Sequence, residues 1–192
     1  MSTTPSAAES GTRSRTRRAI LDATVTVLGR NRTATLGEIA QAAEVGRSTL
    51  HRYFPDRDVL VQAAVEDALA YIGTQFAGAA IDQGAPADAM RRLVTALVDA
   101  GPQILFVFGD PAIMDTLPDD EDDPTNVAML DLIRRGQAEG VFDSEVDAAW
   151  IQDVIWALVY SGAEAAARGR LPRHGVVANV IRTLEQGIAG TA

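Results

Sequence analysis

Residues 35–54 read TLGEIAQAAEVGRSTLHRYF, and this stretch decides the fold of the N-terminal part of the chain. Thr35 followed three residues later by Glu38 forms the pattern of a capping box, which begins a short helix. A break at residues 44–46 separates it from a second short helix, predicted over Arg47–Phe54. Two short helices joined by a tight turn predict a helix-turn-helix.

The outward side of the second helix has the chemistry of a DNA-reading surface. At about 100° per residue, Leu50 and Phe54 lie on its inner side, with Tyr53 at the edge of that side. The outward side and its flanks hold basic and hydroxyl side chains without an acid: Arg47, Ser48, Thr49, His51 and Arg52. Arginine can bind guanine through two hydrogen bonds, and hydroxyls can bind phosphates or base edges. The alternative is an ordinary solvated helix, which usually includes Glu or Asp.

Charge is divided unevenly along the chain. The 192 residues contain 17 basic and 26 acidic side chains, and the net charge is −9. Residues 1–60 hold nine arginines and six acids, a net charge of +3, whereas the remainder holds eight arginines and twenty acids, a net charge of −12. The opposite signs indicate that the N-terminal part meets the anionic partner.

Helical periodicity continues over the rest of the sequence. Apolar spacing predicts a first helix from about Arg15 to Leu28 and a long amphipathic helix from Arg57 onward. Further helices are predicted over residues 86–100, 103–109, 124–138, 148–169 and 174–188. No stretch shows the sustained alternation of a strand. The predicted fold is therefore all-α, with three short helices followed by a bundle of longer ones, and residues 110–123 are expected to be a solvated loop.

Several functional classes lack the residues that they require. The absence of cysteine removes disulfides and thiolate metal sites. No apolar run approaches the roughly 20 residues of a membrane helix, so a cytoplasmic protein without a membrane partner is expected. The two histidines lie far apart in sequence, no glycine-rich phosphate loop is visible, and the carboxylates show no metal-ligand spacing. We therefore predict no enzymatic activity, no cofactor and no metal.

Residues 13–60 resemble the DNA-binding region of the tetracycline-repressor (TetR) family of bacterial transcription regulators. The resemblance rests on the arginine-rich start, on AILDATVTVLG, on TLGEIAQAAEVGRSTLHRYF and on PDRDVL. It implies that the third helix enters the major groove of a near-palindromic operator. It also implies DNA contacts, to bases or phosphates, by Arg47, Ser48, Thr49, His51, Arg52 and Tyr53, and contacts to phosphates by Thr35 and Arg57. For Tyr53, only the hydroxyl is expected to reach a phosphate.

Three positions depart from the family pattern. Glu44 occupies a turn position where glycine is common, and it places an acid near DNA. Gly46 stands where the third helix usually has a hydroxyl cap, and His51 stands where tyrosine is common. These departures bear on the operator sequence rather than on the fold.

The resemblance also implies a homodimer that pairs through the last two long helices and a small effector bound in the bundle. Helix 148–169 is apolar around most of its circumference, as expected of a helix buried on several sides, although a monomer core is the alternative. The expected interface residues are Ile151, Ile155, Leu158, Val177, Ile181 and Leu184. The expected pocket residues mix aromatic, apolar and acidic groups: Phe76, Phe106, Met129, Asp153, Trp156 and Tyr160.

The sequence thus predicts a DNA-binding transcriptional regulator, a repressor that a small-molecule effector releases from its operator. The expected organisation is a disordered tail over 1–12, a helix-turn-helix domain over 13–56, and a ligand-binding and dimerisation domain over 57–192. An alternative is a helical small-molecule sensor or carrier without DNA binding, which an acid on the outward face of the third helix would favour. A helical enzyme is a second alternative.

Overall fold

The computed structural model describes residues 7–117 and 123–187, and within these ranges its regular structure is ten α-helices without a strand. They are α1 (Ala7–Leu28), α2 (Leu36–Ala42), α3 (Arg47–Tyr53), α4 (Arg57–Gly78), α5 (Pro86–Asp99), α6 (Gly101–Phe108), α7 (Pro111–Met114), α8 (Pro124–Ala138), α9 (Ala148–Ala167) and α10 (Arg173–Gly187). The all-α fold predicted from the sequence is confirmed. None of the helices described is long and apolar enough to cross a membrane.

The chain divides into two compact units, residues 1–69 and 70–192, and the division falls inside α4. The sequence placed the boundary at the start of this helix, between residues 56 and 57. The first turns of α4 belong to the N-terminal unit, where Leu60 and Ala64 are fully buried. An uninterrupted helix therefore carries the chain from one unit into the other.

The N-terminal unit has a small core to which each of its four helices contributes. Its largest fully buried side chains are at most 1% exposed: Ile20 and Leu21 of α1, Ile39 of α2, Leu50 of α3 and Leu60 of α4. Burial of each such side chain stabilises the unit by about 1.5–3 kcal/mol relative to exposure. These few contacts hold the short helices α2 and α3 in place.

The first helix is longer than its periodicity indicated. It begins at Ala7, whereas a start near Arg15 and a disordered tail over residues 1–12 were expected. Residues 1–6 lie outside the described part of the chain, and for the remaining residues of that tail the expectation is wrong. The opening Ala-Ala-Glu consists of strong helix formers. Because these turns carry no apolar stripe, they give no periodic signal.

The C-terminal unit has the larger core, built by α5, α6, α8, α9 and α10. Its largest fully buried side chains are Leu93, Leu97, Ile104, Met129, Ile133, Ile151 and Ile155. Helix α10 adds Val176, Val180 and Leu184 to the same cluster. The approach of α9 to α10 is close at Gly162, where an added Cβ would lie 2.5 Å from Val176 Cγ1.

This core includes three of the side chains that were expected at a dimer interface. Ile151 and Ile155 are 0% exposed and Leu184 is 2% exposed within the single chain, so the interface expectation is wrong for them. The two isoleucines lie on the inward face of α9, which packs against α6 and α8 of the same unit. Of the remaining three, Leu158, Val177 and Ile181, each is half-buried and keeps part of its surface exposed.

Two arginines hold the connection between α4 and α5. Arg92 of α5 donates hydrogen bonds of 2.7–2.8 Å to the carbonyls of Ala79, Ala80 and Gln83. Arg135 of α8 donates to the carbonyls of Ile81 at 2.9 Å and Asp82 at 2.7 Å. Every carbonyl from residue 79 to residue 83 therefore accepts a charged donor, which satisfies the polar groups left unpaired beyond the end of α4.

The acidic segment at residues 110–123 is more ordered than a solvated loop in its first part. The Asp110 carboxylate accepts a hydrogen bond of 3.0 Å from Ala112 N and caps α7, which Pro111 begins. Residues 118–122 lie outside the described part of the chain. At the end of the segment, Asp123 caps α8 by accepting from Thr125 N at 2.8 Å.

The close approach of α8 to the following loop is sensitive to volume. A Cβ added at Gly136 would overlap the Phe142 ring, so Gly136→Ala should lower the free energy of unfolding by about 1–3 kcal/mol. Gly73→Ala is the matched control, because Gly73 lies in α4 with nothing within 4 Å of an added Cβ. Its helix should gain about 0.5–1 kcal/mol. Chemical denaturation measures both, and equal effects of the two substitutions would contradict this packing.

Candidate nucleic-acid interface

The turn between α2 and α3 gives these helices a fixed relative position. Val45 N donates to Ala40 O at 2.9 Å, which closes the turn at the end of α2. Glu44 adopts a left-handed backbone with φ of 55°, a conformation that favours glycine. Gly46 is the N-cap of α3 and makes no side-chain cap, as its lack of a side chain requires. The predicted helix-turn-helix is present, with a strained residue at its turn.

The start of α2 is fixed by the capping box that the sequence predicted. Thr35 N donates to Glu38 Oε2 at 2.6 Å, and Glu38 N donates to Thr35 Oγ1 at 3.2 Å. The hydroxyl of Thr35 also donates to the Glu38 carboxylate at 2.8 Å. Hydrogen bonds from the backbone and then the side chain of Thr35 lower the pKa of Glu38. The Thr35 hydroxyl is thus engaged within the cap, which limits what it can offer to a phosphate.

Helix α3 turns its polar side outward. Leu50 is 1% exposed and the following Phe54 is 3% exposed, so these two apolar side chains anchor the helix. Of the six α3 residues expected to contact DNA, four are exposed and two are half-buried. The exposed set is Arg47, Ser48, His51 and Arg52, and the half-buried set is Thr49 and Tyr53. The structure therefore brings the side chains of the expected reading surface together on one face.

Contacts within α3 and just beyond its C-terminal end orient two of these side chains. His51 Nδ1 lies 3.3 Å from Pro55 O, so this ring nitrogen is turned to the end of its own helix. The other nitrogen, Nε2, is then the one available to a partner outside the protein. The guanidinium of Arg52 lies 5.8 Å from the centre of the Tyr53 ring, a cation–π contact.

A polar cavity lies between the start of α2 and the outward face of α3. It has a volume of about 320 Å³ and is lined by Thr35, Leu36, Gly37, Arg47, Leu50 and His51. The Arg47 guanidinium closes one side, and a Cβ at Gly37 would lie only 2.8 Å from its Nη2. Glycine at this position therefore allows the arginine to lie across the beginning of α2. Arg47 gives this cavity a positively charged side chain of the kind that binds the phosphates of nucleic acids.

Arg57 is placed differently from the other expected DNA contacts. This first residue of α4 is half-buried, and its guanidinium points back at the loop between α1 and α2. Nη1 donates to Ala34 O at 2.5 Å and Nη2 donates to Arg32 O at 2.8 Å. Both terminal nitrogens of the side chain are therefore bonded within the protein.

The sequence interpretation passed over two arginines of α1 that belong to this unit. Arg17 lies over the ring of Phe54, 5.6 Å from its centre, and so covers the apolar anchor of α3. Arg18 binds Asp67 of α4 at 2.6 Å. The signal is the dense run of arginines over residues 13–18, which indicates positive charge and contributes to the family resemblance but does not show that two of these side chains have partners within the unit.

The residues expected in an effector pocket are dispersed in the C-terminal unit. Phe76, Phe106 and Met129 are at most 7% exposed and pack as core residues. Asp153 is exposed, whereas Trp156 and Tyr160 are half-buried. None of the six lines the groove of about 160 Å³ that lies between α5 and α10. Phe76, Phe106 and Met129 are therefore buried in the core and do not line this groove.

Trp156 nevertheless belongs to an aromatic and polar cluster on α6, α8 and α9. Its ring is 5.6 Å from that of Phe108, with a tilt of 46° between the planes. Gln152, one turn earlier on α9, is buried and donates to Asn126 Oδ1 of α8 at 3.1 Å. We call Phe108, Asn126, Gln152 and Trp156 the aromatic–amide cluster. Across the described residues, no three His, Asp or Glu side chains lie together as metal ligands.

Comparison with known proteins places this architecture among bacterial regulators. The sequence pattern of "Bacterial regulatory proteins, tetR family" matches residues 20–64, which include α2 and α3. The chain is 42% identical over 189 residues to the HTH-type transcriptional repressor LfrR of Mycolicibacterium smegmatis, covering 94% of each protein. It is 30% identical over 156 residues to the HTH-type transcriptional regulator NfxB of Pseudomonas aeruginosa, covering 80% of this chain and 81% of NfxB.

A solved structure gives the same relationship in three dimensions. The crystal structure of LfrR from Mycobacterium smegmatis in complex with proflavine superposes with a TM-score of 0.71 at 35% sequence identity. The superposition covers 94% of this chain and all of that one, 100% of its length. The likeness therefore extends over both compact units and is not limited to the helix-turn-helix.

The strained turn supplies a test with two separable readouts. Glu44→Gly should raise the free energy of unfolding by about 1 kcal/mol, because glycine adopts the left-handed backbone without a steric penalty. It should also strengthen binding to DNA, because it removes a negative charge next to the reading surface.

Glu44→Gln separates the two effects, because it removes the charge and keeps the strain. This variant should bind DNA more tightly than the wild type and unfold at the same denaturant concentration. Denaturation and fluorescence anisotropy on labelled duplex DNA measure the pair. Equal stability of the glycine and glutamine variants would contradict the assignment of strain to this turn.

Proposed function

The chain belongs to the tetR family of bacterial regulatory proteins and is a DNA-binding transcriptional regulator, and we propose that it is a dimeric repressor that a planar aromatic cation releases from its operator. The family and the 42% identity to the repressor LfrR support regulation through DNA binding. The contacts and burial of this chain's own side chains support the residues that we assign to each step.

The observation that carries the DNA-binding function is the outward face of α3. Arg47, Ser48, His51 and Arg52 are exposed together, and no acid interrupts them. Arg52 is suited to bidentate binding of a guanine edge, whereas Arg47 is suited to a phosphate because of its position beside the start of α2. A sensor or carrier without DNA binding would have no reason to keep this face free of acids.

A homodimer gives the two reading surfaces that a near-palindromic operator requires. We place the contact on the partly exposed sides of α9 and α10, where Leu158, Val177 and Ile181 pack against the core with part of their surface and leave the rest exposed; Ile181 also lines the groove between α5 and α10. Ile151, Ile155 and Leu184 support these helices from inside rather than making the contact. Effector binding then favours a dimer geometry in which the two α3 helices no longer fit successive major grooves.

The effector class follows from the relative and from the aromatic–amide cluster. LfrR binds proflavine, a planar aromatic cation, in its solved complex. In this chain the tilted Phe108 and Trp156 rings offer aromatic faces, and the Gln152–Asn126 pair offers amide groups to a polar edge. Residues 61–192 carry a net charge of −12, which favours a cation. As a regulator of this kind, the chain acts in the cytoplasm and catalyses no reaction.

Specificity is tested at Arg52. Arg52→Ala should lose roughly 1–3 kcal/mol per half-site on the duplex that the wild type selects from random DNA, and the loss should be confined to one base position of each half-site. Arg18→Ala is the matched control, because Arg18 is paired with Asp67 at 2.6 Å. Repeated selection with each variant gives the preferred sequences. An unchanged preference in the Arg52 variant would show that Arg52 does not read a base.

The dimer contact is tested at Leu158. Leu158→Glu would bury a charge twice across a two-fold axis, at a cost of several kcal/mol for each copy unless the helices separate. The variant should therefore be a monomer by light scattering and should lose most of its operator affinity. Val127→Glu introduces the same charge on α8, where Val127 is 41% exposed, and should leave the dimer intact. A Leu158→Glu dimer would place the interface elsewhere.

The effector site is tested with proflavine and the two tryptophans. Trp150 is 62% exposed, so Trp150→Phe should leave the fold unchanged and keep Trp156 as the single fluorescent tryptophan. Proflavine should quench that fluorescence, and Trp156→Ala should weaken proflavine binding about tenfold, the size expected from loss of one aromatic contact. Tight binding in the Trp156→Ala variant would move the site away from the aromatic–amide cluster.

A further inference from the structure

We propose that Arg57 is a positioning residue for DNA binding and that it does not contact the operator itself. Its guanidinium holds the loop before α2 and thereby fixes the place of the Thr35 cap and of Arg47. This inference rests on the DNA-binding function proposed above. It departs from the phosphate contact that resemblance to the family implied for this residue.

The start of α4 is fixed before the Arg57 side chain acts. Asp56 Oδ1 accepts a hydrogen bond of 2.9 Å from Val59 N, which caps this long helix. From that rigid base, Arg57 reaches back 23 residues in sequence to Ala34 O and 25 residues to Arg32 O. The side chain thus joins the first turn of α4 to the segment that precedes α2.

The relative position of the two accepting carbonyls explains why an arginine is required here. They belong to residues two apart in the loop, and each binds a different terminal nitrogen of the same planar group. The guanidinium presents its donors in a rigid fork, whereas a lysine ammonium is a single point with rotating donors. Lysine would preserve the positive charge at this place but could not hold both carbonyls in the same geometry.

The loop that Arg57 holds leads directly into the DNA-facing surface. Ala34 is 1% exposed, so its position is fixed from the core side as well. Thr35 follows at once and begins α2, and Thr35, Gly37 and Arg47 line the polar cavity beside α3. Loss of the Arg57 bonds would therefore loosen the N-cap of α2 and the wall of that cavity. The effect on DNA would be indirect.

Salt dependence separates a positioning residue from a phosphate contact. Each phosphate neutralised by the protein adds about 0.9 to the slope of log affinity against log salt concentration. A residue that only positions others changes the affinity at every salt concentration and leaves the slope as it was. The charge-preserving lysine variant adds a second distinction, because a phosphate contact would tolerate lysine.

The experiment compares Arg57→Lys, Arg57→Met and, as the phosphate-contact control, Arg47→Met. Binding to the duplex that the wild type selects from random DNA is titrated at several salt concentrations. Both Arg57 variants should bind about tenfold more weakly, as expected when an N-cap is loosened in each half-site, with the wild-type slope. Arg47→Met should reduce the slope by about 0.9 per half-site. Wild-type affinity in Arg57→Lys, or a reduced slope in Arg57→Met, would overturn the proposal.

A measurement without DNA makes the inference independent of operator binding. Hydrogen exchange at the amides of Glu38 and Ile39, which donate to the side chain and the carbonyl of Thr35, should be faster in both Arg57 variants and unchanged in Arg47→Met, with the helix content of all three equal by circular dichroism. Unchanged exchange in the Arg57 variants would also overturn the positioning role. If the wild type itself bound no DNA, the proposed function would fail, while the exchange result would still decide whether Arg57 holds the loop.

Discussion

The outward face of α3, which exposes Arg47, Ser48, His51 and Arg52, depends on two buried side chains. Helix α3 has seven residues, and a helix of that length is not stable in isolation. Leu50 within it and Phe54 after its end are almost completely buried, and Arg17 covers the Phe54 ring from α1. These contacts fix the rotation of α3 about its own axis. Every other property of the interface, including which side chains face outward, follows from that rotation.

The basic side chains of this unit are held by different kinds of contact, and the kind of contact indicates what each side chain can bind. Arg52 rests on the Tyr53 ring and keeps its donors available, and His51 turns only one ring nitrogen to its own backbone. Arg57 instead gives both terminal nitrogens to carbonyls of the protein. In the function that we propose, positive charge therefore serves recognition at Arg52 and the internal geometry of the unit at Arg57. A count of arginines does not distinguish the two uses.

Much of this arrangement could be predicted because local chemistry dictates it. The capping box at Thr35, the turn at Glu44 and the inward placement of Leu50 all follow from residue type and spacing. The sequence could not show that Ile151 and Ile155 are buried within the chain while Leu158 is partly exposed. All three are apolar, and only packing decides which side of α9 is covered. The use of Arg57 was also hidden, because its partners are backbone carbonyls that any residue provides. The extent of α1 was missed because its first turns have no apolar face.

In the proposed dimer, two copies of α3 read base edges in successive major grooves of one operator. Guanine N7 lies in the major groove, so methylation interference on the duplex selected by the wild type shows whether both copies reach the bases. We expect two clusters of interfering guanines whose centres are one helical turn, about 10–10.5 base pairs, or a multiple of it, apart. Full binding to DNA methylated at these guanines, or a single cluster of interference, would contradict it.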